Sequence, residues 1–233
     1  MIRNFLNTGS LVADHPDNRG LRYLWVSGGS LPGQPVNGID FGPKRRSNRF
    51  TGSPAMATAP GGQLGLTLAG SQDSTVANPS GGAGITIACW MRLTQPPGAG
   101  NKVIVGWNDH VWFGTSTGKI YFAPDYTGHV TEPVATVGDG NWYRVGCTSL
   151  NGVNKVFVNG VERASGSGTY YATPISNMTI GVFGGSYRFP GSIANLRMHN
   201  VGFAPDWFRR DYQYAQRLET DPRLAAFSRS SHL

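Results

Sequence analysis

In this chain of 233 residues, the acidic side chains are the first candidates for catalytic groups. Hydrolysis of a glycosidic bond needs two carboxyl groups on one face, about 5 Å apart in retaining enzymes. The three glutamates, Glu132, Glu162 and Glu219, stand apart in the sequence, and none belongs to a Glu-x-Asp-x-x-Glu strand. A carboxylate pair assembled from Asp109 and Asp125 is the remaining alternative for such a reaction. The sequence nevertheless predicts a protein that is not an enzyme.

Metal ligands and nucleophiles are equally sparse. The five histidines show no zinc spacing, so no zinc site is predicted. Neither Cys89 nor Cys147 has a His close by in the sequence, so no cysteine nucleophile is predicted either. A calcium site is kept as an alternative because Asp73 and Asp139 lie in predicted loops, where carboxylates could bind the ion. Turn formation explains both residues more simply. Cys89 and Cys147 lie in alternating apolar segments, which predicts buried free thiols. We therefore expect no cofactor.

Aromatic residues beside polar groups give the better functional lead. Carbohydrate sites stack sugar rings on exposed aromatic side chains and bind the hydroxyl groups with nearby polar side chains. Such mixtures occur at predicted strand ends, and the candidate ligand-binding residues are Asp109, Asp125, Tyr126, His129, Tyr187 and Arg188. Trp107 and Trp112 flank the first of these segments. Their alternation with apolar neighbours favours packing in the core over ligand binding.

The elements that must position these residues are predicted to be β-strands. Apolar residues alternate with period two, and turn residues interrupt them every 8–12 residues or so, as in an antiparallel sandwich. Residues 85–93 alternate throughout and are predicted to form a central strand. Asn-Gly pairs at 151–152 and 159–160 predict two-residue hairpin turns. One helix is predicted over 205–218, with Pro205 at its first position.

The two ends of the chain lack this periodicity. Residues 1–61 are rich in Gly, Pro and Arg, include one candidate strand at 21–27, and are predicted to form an N-terminal arm. The sandwich is predicted over residues 62–218. Residues 219–233 are predicted to form a C-terminal tail.

Positive charge is concentrated in the predicted arm. Residues 1–60 contain seven basic and three acidic residues, within a formal net charge of +7 for the whole chain. A basic segment favours an acidic partner. We expect docking on an acidic protein surface, with a solvated loop and nucleic-acid contact as alternatives, through Lys44, Arg45, Arg46 and Arg49.

Several segments of the predicted sandwich share a family pattern. They are Leu66–Asp73, Ile85–Met91, Asn141–Val145 with Val156–Val161, and Phe189–Asn200. In this order they resemble the concanavalin A-like, laminin G-like (LamG) and pentraxin-type domains. The resemblance implies a two-sheet jelly roll that binds glycans or proteins, often with calcium. The chain departs from that pattern at Ala194 and Asn195, where family members commonly carry acidic residues, and at Tyr143, where many have His.

Together these observations predict an all-β, two-sheet antiparallel jelly-roll sandwich with one short C-terminal helix and extended arms. A lone sandwich with Arg-rich arms resembles, in organisation, a bacteriophage virion accessory protein such as a head decoration or tail-associated subunit. We therefore expect a non-enzymatic structural or binding protein of the virion. A free bacterial glycan-binding lectin module is the alternative, and a glycoside-active enzyme is the third reading.

The expected partners follow from that reading. Capsid or tail subunits are expected to bind the protein, surface glycans are candidate ligands, nucleic acid is the least favoured partner, and self-association is left open. No apolar segment approaches the roughly 20 residues that a membrane span requires. The first residues lack the apolar region of a secretory signal, so synthesis in a host cytoplasm is expected.

Overall fold

The structure is a computed structural model in which two antiparallel β-sheets pack face to face. It describes residues 21–27, 37–40, 47–49, 54–69, 74–77, 84–95, 98, 100–107, 111–125, 128–170, 177–184 and 186–220. This architecture confirms the predicted two-sheet sandwich. The one α-helix of the described residues, α1 (Pro205–Thr220), ends two residues beyond the predicted end at 218 and is not long and apolar enough to span a membrane.

Ten of the described strands form the larger sheet. They are β1 (Leu21–Ser27), β2 (Asn37–Asp40), β3 (Ser47–Arg49), β4 (Ala55–Thr58), β5 (Leu64–Ala69), β7 (Ile85–Leu93), β12 (Tyr143–Leu150), β13 (Val153–Val158), β14 (Val161–Ser167) and β16 (Pro190–His199). Their main order is β14-β13-β12-β7-β16-β1-β2-β3, and β5 pairs with both β16 and β4.

Six further strands form the smaller sheet. They are β6 (Ser74–Ala77), β8 (Asn101–Trp107), β9 (Val111–Ser116), β10 (Lys119–Ala123), β11 (Val130–Thr131) and β15 (Asn177–Ile180). Their order is β11-β10-β9-β8-β15-β6. Every pairing in both sheets is antiparallel.

The core lies between the two sheets because successive side chains of a strand point to opposite faces. In β7, alternate residues from Ile85 to Leu93 belong to the buried core, while Ala88 and Trp90 pack on the other face of the sheet. Strand β7 lies between β12 and β16, which confirms its predicted central place. Cys89 and Cys147 are both buried free thiols in the core.

The hairpins of the larger sheet turn at the predicted Asn-Gly pairs. Asn151 and Gly152 have φ angles of 51° and 76°, and Asn159 and Gly160 have 50° and 77°. Two successive positive φ values define the tight turn whose twist matches the flanking strands. These turns join β12, β13 and β14 into the predicted meander.

Helix α1 covers the outer face of the larger sheet. The ring of Phe208 stacks on Phe157 with centroids 3.8 Å apart. It also lies over Gly146, where an added Cβ would stand 2.5 Å from a Phe208 ring carbon. The absence of a side chain on this strand position therefore determines how closely the helix approaches the sheet.

The predicted N-terminal arm contains more sheet structure than its sequence pattern indicated. Four strands, β1 to β4, lie within residues 1–61, where one was expected. Strand β1 pairs with β16 and β4 pairs with β5, so part of this region extends the larger sheet. Strands of three or four residues are too short to show a period-two pattern, and partners distant in sequence supply their hydrogen bonds. The division into arm, sandwich and tail stays a prediction.

Candidate functional site

The outer face of the smaller sheet carries aromatic side chains that do not belong to the core. On β9, Val111 and Phe113 are fully buried between the sheets, so the intervening Trp112 points outward. On β10, Ile120 and Phe122 likewise point inward, so Tyr121 points outward. We call this surface, formed by Trp112 and Tyr121 together with Phe183, Tyr187 and His129, the aromatic face.

One half of the aromatic face is a three-ring cluster. The ring centroid of Trp112 lies 5.0 Å from that of Phe183 and 5.4 Å from that of Tyr187. The Phe183 ring lies on Gly106 of β8, so closely that an added Cβ would stand 2.6 Å from it. Tyr187 remains 38% exposed. The cluster therefore presents the exposed Tyr187 ring beside a half-buried Trp112 and a buried Phe183.

Backbone hydrogen bonds hold the segment that carries Tyr187. The amide of Tyr187 donates to the carbonyl of Phe183 at 3.1 Å, and the carbonyl of Tyr187 accepts from Val103 of β8 at 3.2 Å. A second contact to β8 runs from the amide of Gly181 to the carbonyl of Ile104 at 2.9 Å. The connection between β15 and β16 is thus tied to the sheet, and Tyr187 is positioned before any ligand arrives.

The other half of the aromatic face is a pair of stacked rings. His129 is exposed and stacks on Tyr121, with centroids 5.7 Å apart and planes inclined by 30°. Ala123 pairs with Trp112 and Tyr121 pairs with Gly114, so Trp112 and Tyr121 are diagonal neighbours on the same face. Such neighbours stand roughly 7–8 Å apart. The two halves therefore lie side by side across β9 and β10.

The structure brings only some of the predicted ligand-binding residues into this region. Tyr187 and His129 lie on the aromatic face, Arg188 follows Tyr187, and Asp125 lies half-buried in the connection between β10 and β11. Asp109 and Tyr126 lie outside the described residues. Lys44, Arg45 and Arg46 of the predicted docking run also lie outside them, and Arg49 is described only as the last backbone position of β3.

Sequence reasoning missed three members of the aromatic face. Trp107 packs in the core as predicted, but Trp112 points to the opposite side of its sheet. The alternation of Trp112 with Val111 and Phe113 could have separated the two tryptophans. Tyr121 could have been found by the same alternation, whereas Phe183 lies outside the strands and carried no local signal.

Glu132 and Glu162 have structural contacts. Glu132 is 1% exposed; its Oε2 accepts from the amide of Ile120 at 2.9 Å, and its Oε1 accepts from the hydroxyl of Thr136. Glu162 pairs with Lys155 at 2.9 Å on the surface. In the described part of the chain, no three His, Cys, Asp or Glu side chains lie together in a group that could hold a metal ion.

Solved structures with the same architecture are numerous but distant in sequence. Domain 4 of AbnA, a GH43 extracellular arabinanase from Geobacillus stearothermophilus, in complex with arabinotriose, is 16% identical, with a TM-score of 0.58 over 70% of this chain and 86% of that one. The binding domain of Paraclostridial Mosquitocidal Protein 1 is 10% identical, with a TM-score of 0.66 over 84% of this chain and 52% of that one.

The binding domain of botulinum neurotoxin DC in complex with SialylT is also 10% identical, with a TM-score of 0.64 over 86% of this chain and 52% of that one. The chain thus spans about half the length of these toxin binding domains. At such identities the likeness shows the fold alone.

Sequence comparison gives the family directly. No curated protein is significantly similar to the chain. The family model Laminin_G_3, described as the Concanavalin A-like lectin/glucanases superfamily, matches residues 68–206, which is more than half of the chain. This match agrees with the two-sheet architecture and confirms the resemblance of the strand segments, and the chain belongs to this family of concanavalin A-like, laminin G-like domains.

Proposed function

We propose that the protein is a non-enzymatic binding module that recognises carbohydrate on its aromatic face. The observation that carries the proposal is the Tyr187 ring, which is exposed, backed by Trp112 and held by backbone hydrogen bonds to β8. Sugar rings present apolar C–H faces to aromatic rings and polar edges to hydrogen-bonding groups. A rigid, half-exposed aromatic ring is suited to the first of these contacts.

The neighbouring pair extends this surface. Tyr121 and His129 lie beside the Trp112 cluster on the outer face of the smaller sheet. A linear oligosaccharide running across β9 and β10 would contact both halves, whereas a single sugar ring would contact one. The arabinotriose and SialylT complexes of structurally similar domains support carbohydrate as the ligand class.

Titration calorimetry with arabinotriose and with a sialylated oligosaccharide tests the proposal. We expect saturable binding of at least one of these probes by the parent protein. Tyr187→Ala should weaken it about tenfold, because loss of a stacked ring contact costs up to roughly 1.5 kcal/mol beyond the loss of buried area. Tyr214→Ala is the matched control, since Tyr214 is 36% exposed on α1, away from the aromatic face.

Equal weakening by the two substitutions would show that the aromatic face is not the site. Absence of saturable binding to these probes and to a broad glycan array would contradict carbohydrate recognition itself. Retention of the parent's melting temperature by Tyr187→Ala is the folding control.

The biological setting that we propose is a bacteriophage particle, on which the module is an accessory subunit. This rests on the sequence organisation, in which a basic run precedes a single binding sandwich. Exposed ion pairs contribute roughly 0.2–1 kcal/mol each and are screened by salt. Replacing Lys44, Arg45, Arg46 and Arg49 by Ser should therefore weaken co-sedimentation with particles at low salt, while unchanged co-sedimentation at every salt concentration would refute the docking role.

A further inference from the structure

A polar row crosses the outer face of the larger sheet, on the opposite side of the sandwich from the aromatic face. Thr67 of β5 pairs with Ser192 of β16, and Ser192 pairs with Arg92 of β7. Tyr143 of β12 pairs with Met91, which places Trp142 next to Arg92 at the following position. We call Thr67, Ser192, Arg92 and Trp142 the Arg92 row.

Direct contacts join the members of the Arg92 row. The hydroxyl oxygens of Thr67 and Ser192 lie 2.8 Å apart. The Nη2 of Arg92 donates to the Ser192 hydroxyl over a long 3.5 Å, and the guanidinium lies over the Trp142 ring at 5.1 Å from its centroid. The indole therefore supports one face of the guanidinium and directs its N–H groups along the row.

The guanidinium of Arg92 is incompletely satisfied. Its Nε is buried and has no hydrogen-bond partner, and none of the ion pairs among the described residues involves Arg92. Arg144, by contrast, binds Asp211 at 2.7 Å on the same face of the sheet. The Asp139 carboxylate, which precedes Trp142 in the chain, accepts instead from Asn141 and Tyr143. Within the part of the chain that the structure describes, this half-buried guanidinium therefore contacts a hydroxyl and an aromatic ring but no carboxylate, which is the usual partner of a buried guanidinium.

We infer that the Arg92 row is an oxyanion-binding site that takes a carboxylate or sulfate group. The planar guanidinium presents paired donors that match these groups in a bidentate manner. The Thr67 hydroxyl, which shares a hydrogen bond with Ser192, lies at the other end of the row, where Thr67 is half-buried and reachable from solvent. This site is separate from the aromatic face, so its existence does not depend on carbohydrate binding there.

Titration calorimetry with sodium sulfate and with sodium acetate, against sodium chloride at matched ionic strength, tests the inference. We expect saturable heat with sulfate or acetate for the parent protein and at least tenfold weaker binding for Arg92→Gln. Arg210→Gln is the matched control, because Arg210 is an exposed arginine on α1. It should bind the anions as the parent does.

Arg92→Lys provides a second test if Arg92→Gln does not fold, since it keeps the charge but lacks the planar fork. We expect it to bind sulfate more weakly than the parent. No saturable heat with either anion in the parent, or equal binding by the parent and by the folded Arg92 variant, would overturn the assignment. If Arg210→Gln weakened binding as much as the Arg92 variant, general charge attraction would explain the result and the site would be rejected.

Discussion

Asp211 connects helix α1 to the sheet through two guanidinium groups. Its carboxylate lies 2.7 Å from Nε of Arg144 and 2.8 Å from Nη2 of Arg197, and its side chain is 4% exposed. Burial alone would raise the pKa of Asp211, but the two guanidinium groups outweigh it and hold the pKa below its ordinary value. The ionised carboxylate is therefore the form that stabilises the fold.

This arrangement predicts both a mutational cost and an acid dependence. Asp211→Asn should lower the free energy of unfolding by about 3–5 kcal/mol, because it leaves buried guanidinium charge unpaired. Since the folded pKa is depressed, the contribution of Asp211 is present above the unfolded pKa near 3.9 and is lost as the pH falls through the folded pKa. Urea denaturation from pH 3 to pH 7 measures both effects.

The matched control is Asp206→Asn, which removes an exposed pair with Arg209 at 2.6 Å. This substitution should change stability little, because both partners are well exposed. An Asp211→Asn protein that lost stability in acid as steeply as the parent would contradict the assigned role of Asp211.

The two cysteine thiols should be unreactive in the native protein. Burial raises the pKa of Cys89 to about 12 and raises that of Cys147 well above its ordinary value. Because the thiolate is the reactive form, we expect no alkylation by iodoacetamide at pH 8 and labelling of both cysteines after denaturation. Mass spectrometry counts the labels, and rapid native labelling of either cysteine would show that the core opens locally.

At the scale of elements, the contact between α1 and β12 depends on the absence of a side chain. Gly146→Ala should lower the free energy of unfolding by about 1–3 kcal/mol, because the new Cβ would stand 2.5 Å from the Phe208 ring and 2.9 Å from the Ile87 carbonyl oxygen. Gly98→Ala is the control, since an added Cβ there meets nothing within 4 Å.

Chemical denaturation compares these two glycine variants. If the clash with Phe208 is the cause, Phe208→Leu should cost less in the Gly146→Ala background than in the parent, which a double-mutant cycle measures. Equal costs in both backgrounds would place the strain elsewhere.

At the scale of the whole molecule, the two outer faces have different chemistry. Stacked aromatic rings occupy the face of the smaller sheet, whereas a helix and several arginines occupy the face of the larger one. Asn195, at a position where the family commonly has an acidic residue, instead donates to Gln63 at 2.7 Å and accepts from Arg197 at 2.9 Å. The Asn195 side chain is therefore hydrogen-bonded to protein groups, Gln63 and Arg197, at this position.

We accordingly expect the fold to be independent of calcium. Adding EDTA to the purified protein should shift the melting temperature by less than a few degrees, corresponding to under about 1 kcal/mol. Differential scanning calorimetry with EDTA, and then with excess calcium, measures this. A reversible rise in melting temperature with calcium would reveal a site that the described residues do not show.

Several features could be predicted from the sequence because their causes are local. Alternation along Ile85–Leu93 reports which residues face the core, the Asn-Gly pairs favour the positive φ angles of their turns, and Pro205 with Asp206 marks the start of α1. Each of these signals is contained within a few neighbouring residues. For the same reason, the burial of Trp107 was predictable from its own strand.

The tertiary structure alone decided which distant residues meet. The pairing of β1 with β16, the cluster of Trp112 with Tyr187, and the approach of Arg92 to Trp142 all depend on strand register across long stretches of chain. No short turn fixes the register between strands that are distant in the chain, so this register is set only when the two sheets and α1 pack together. The sequence by itself thus determined the family and its core, whereas the two candidate sites arise from contacts that exist only once the sandwich has closed.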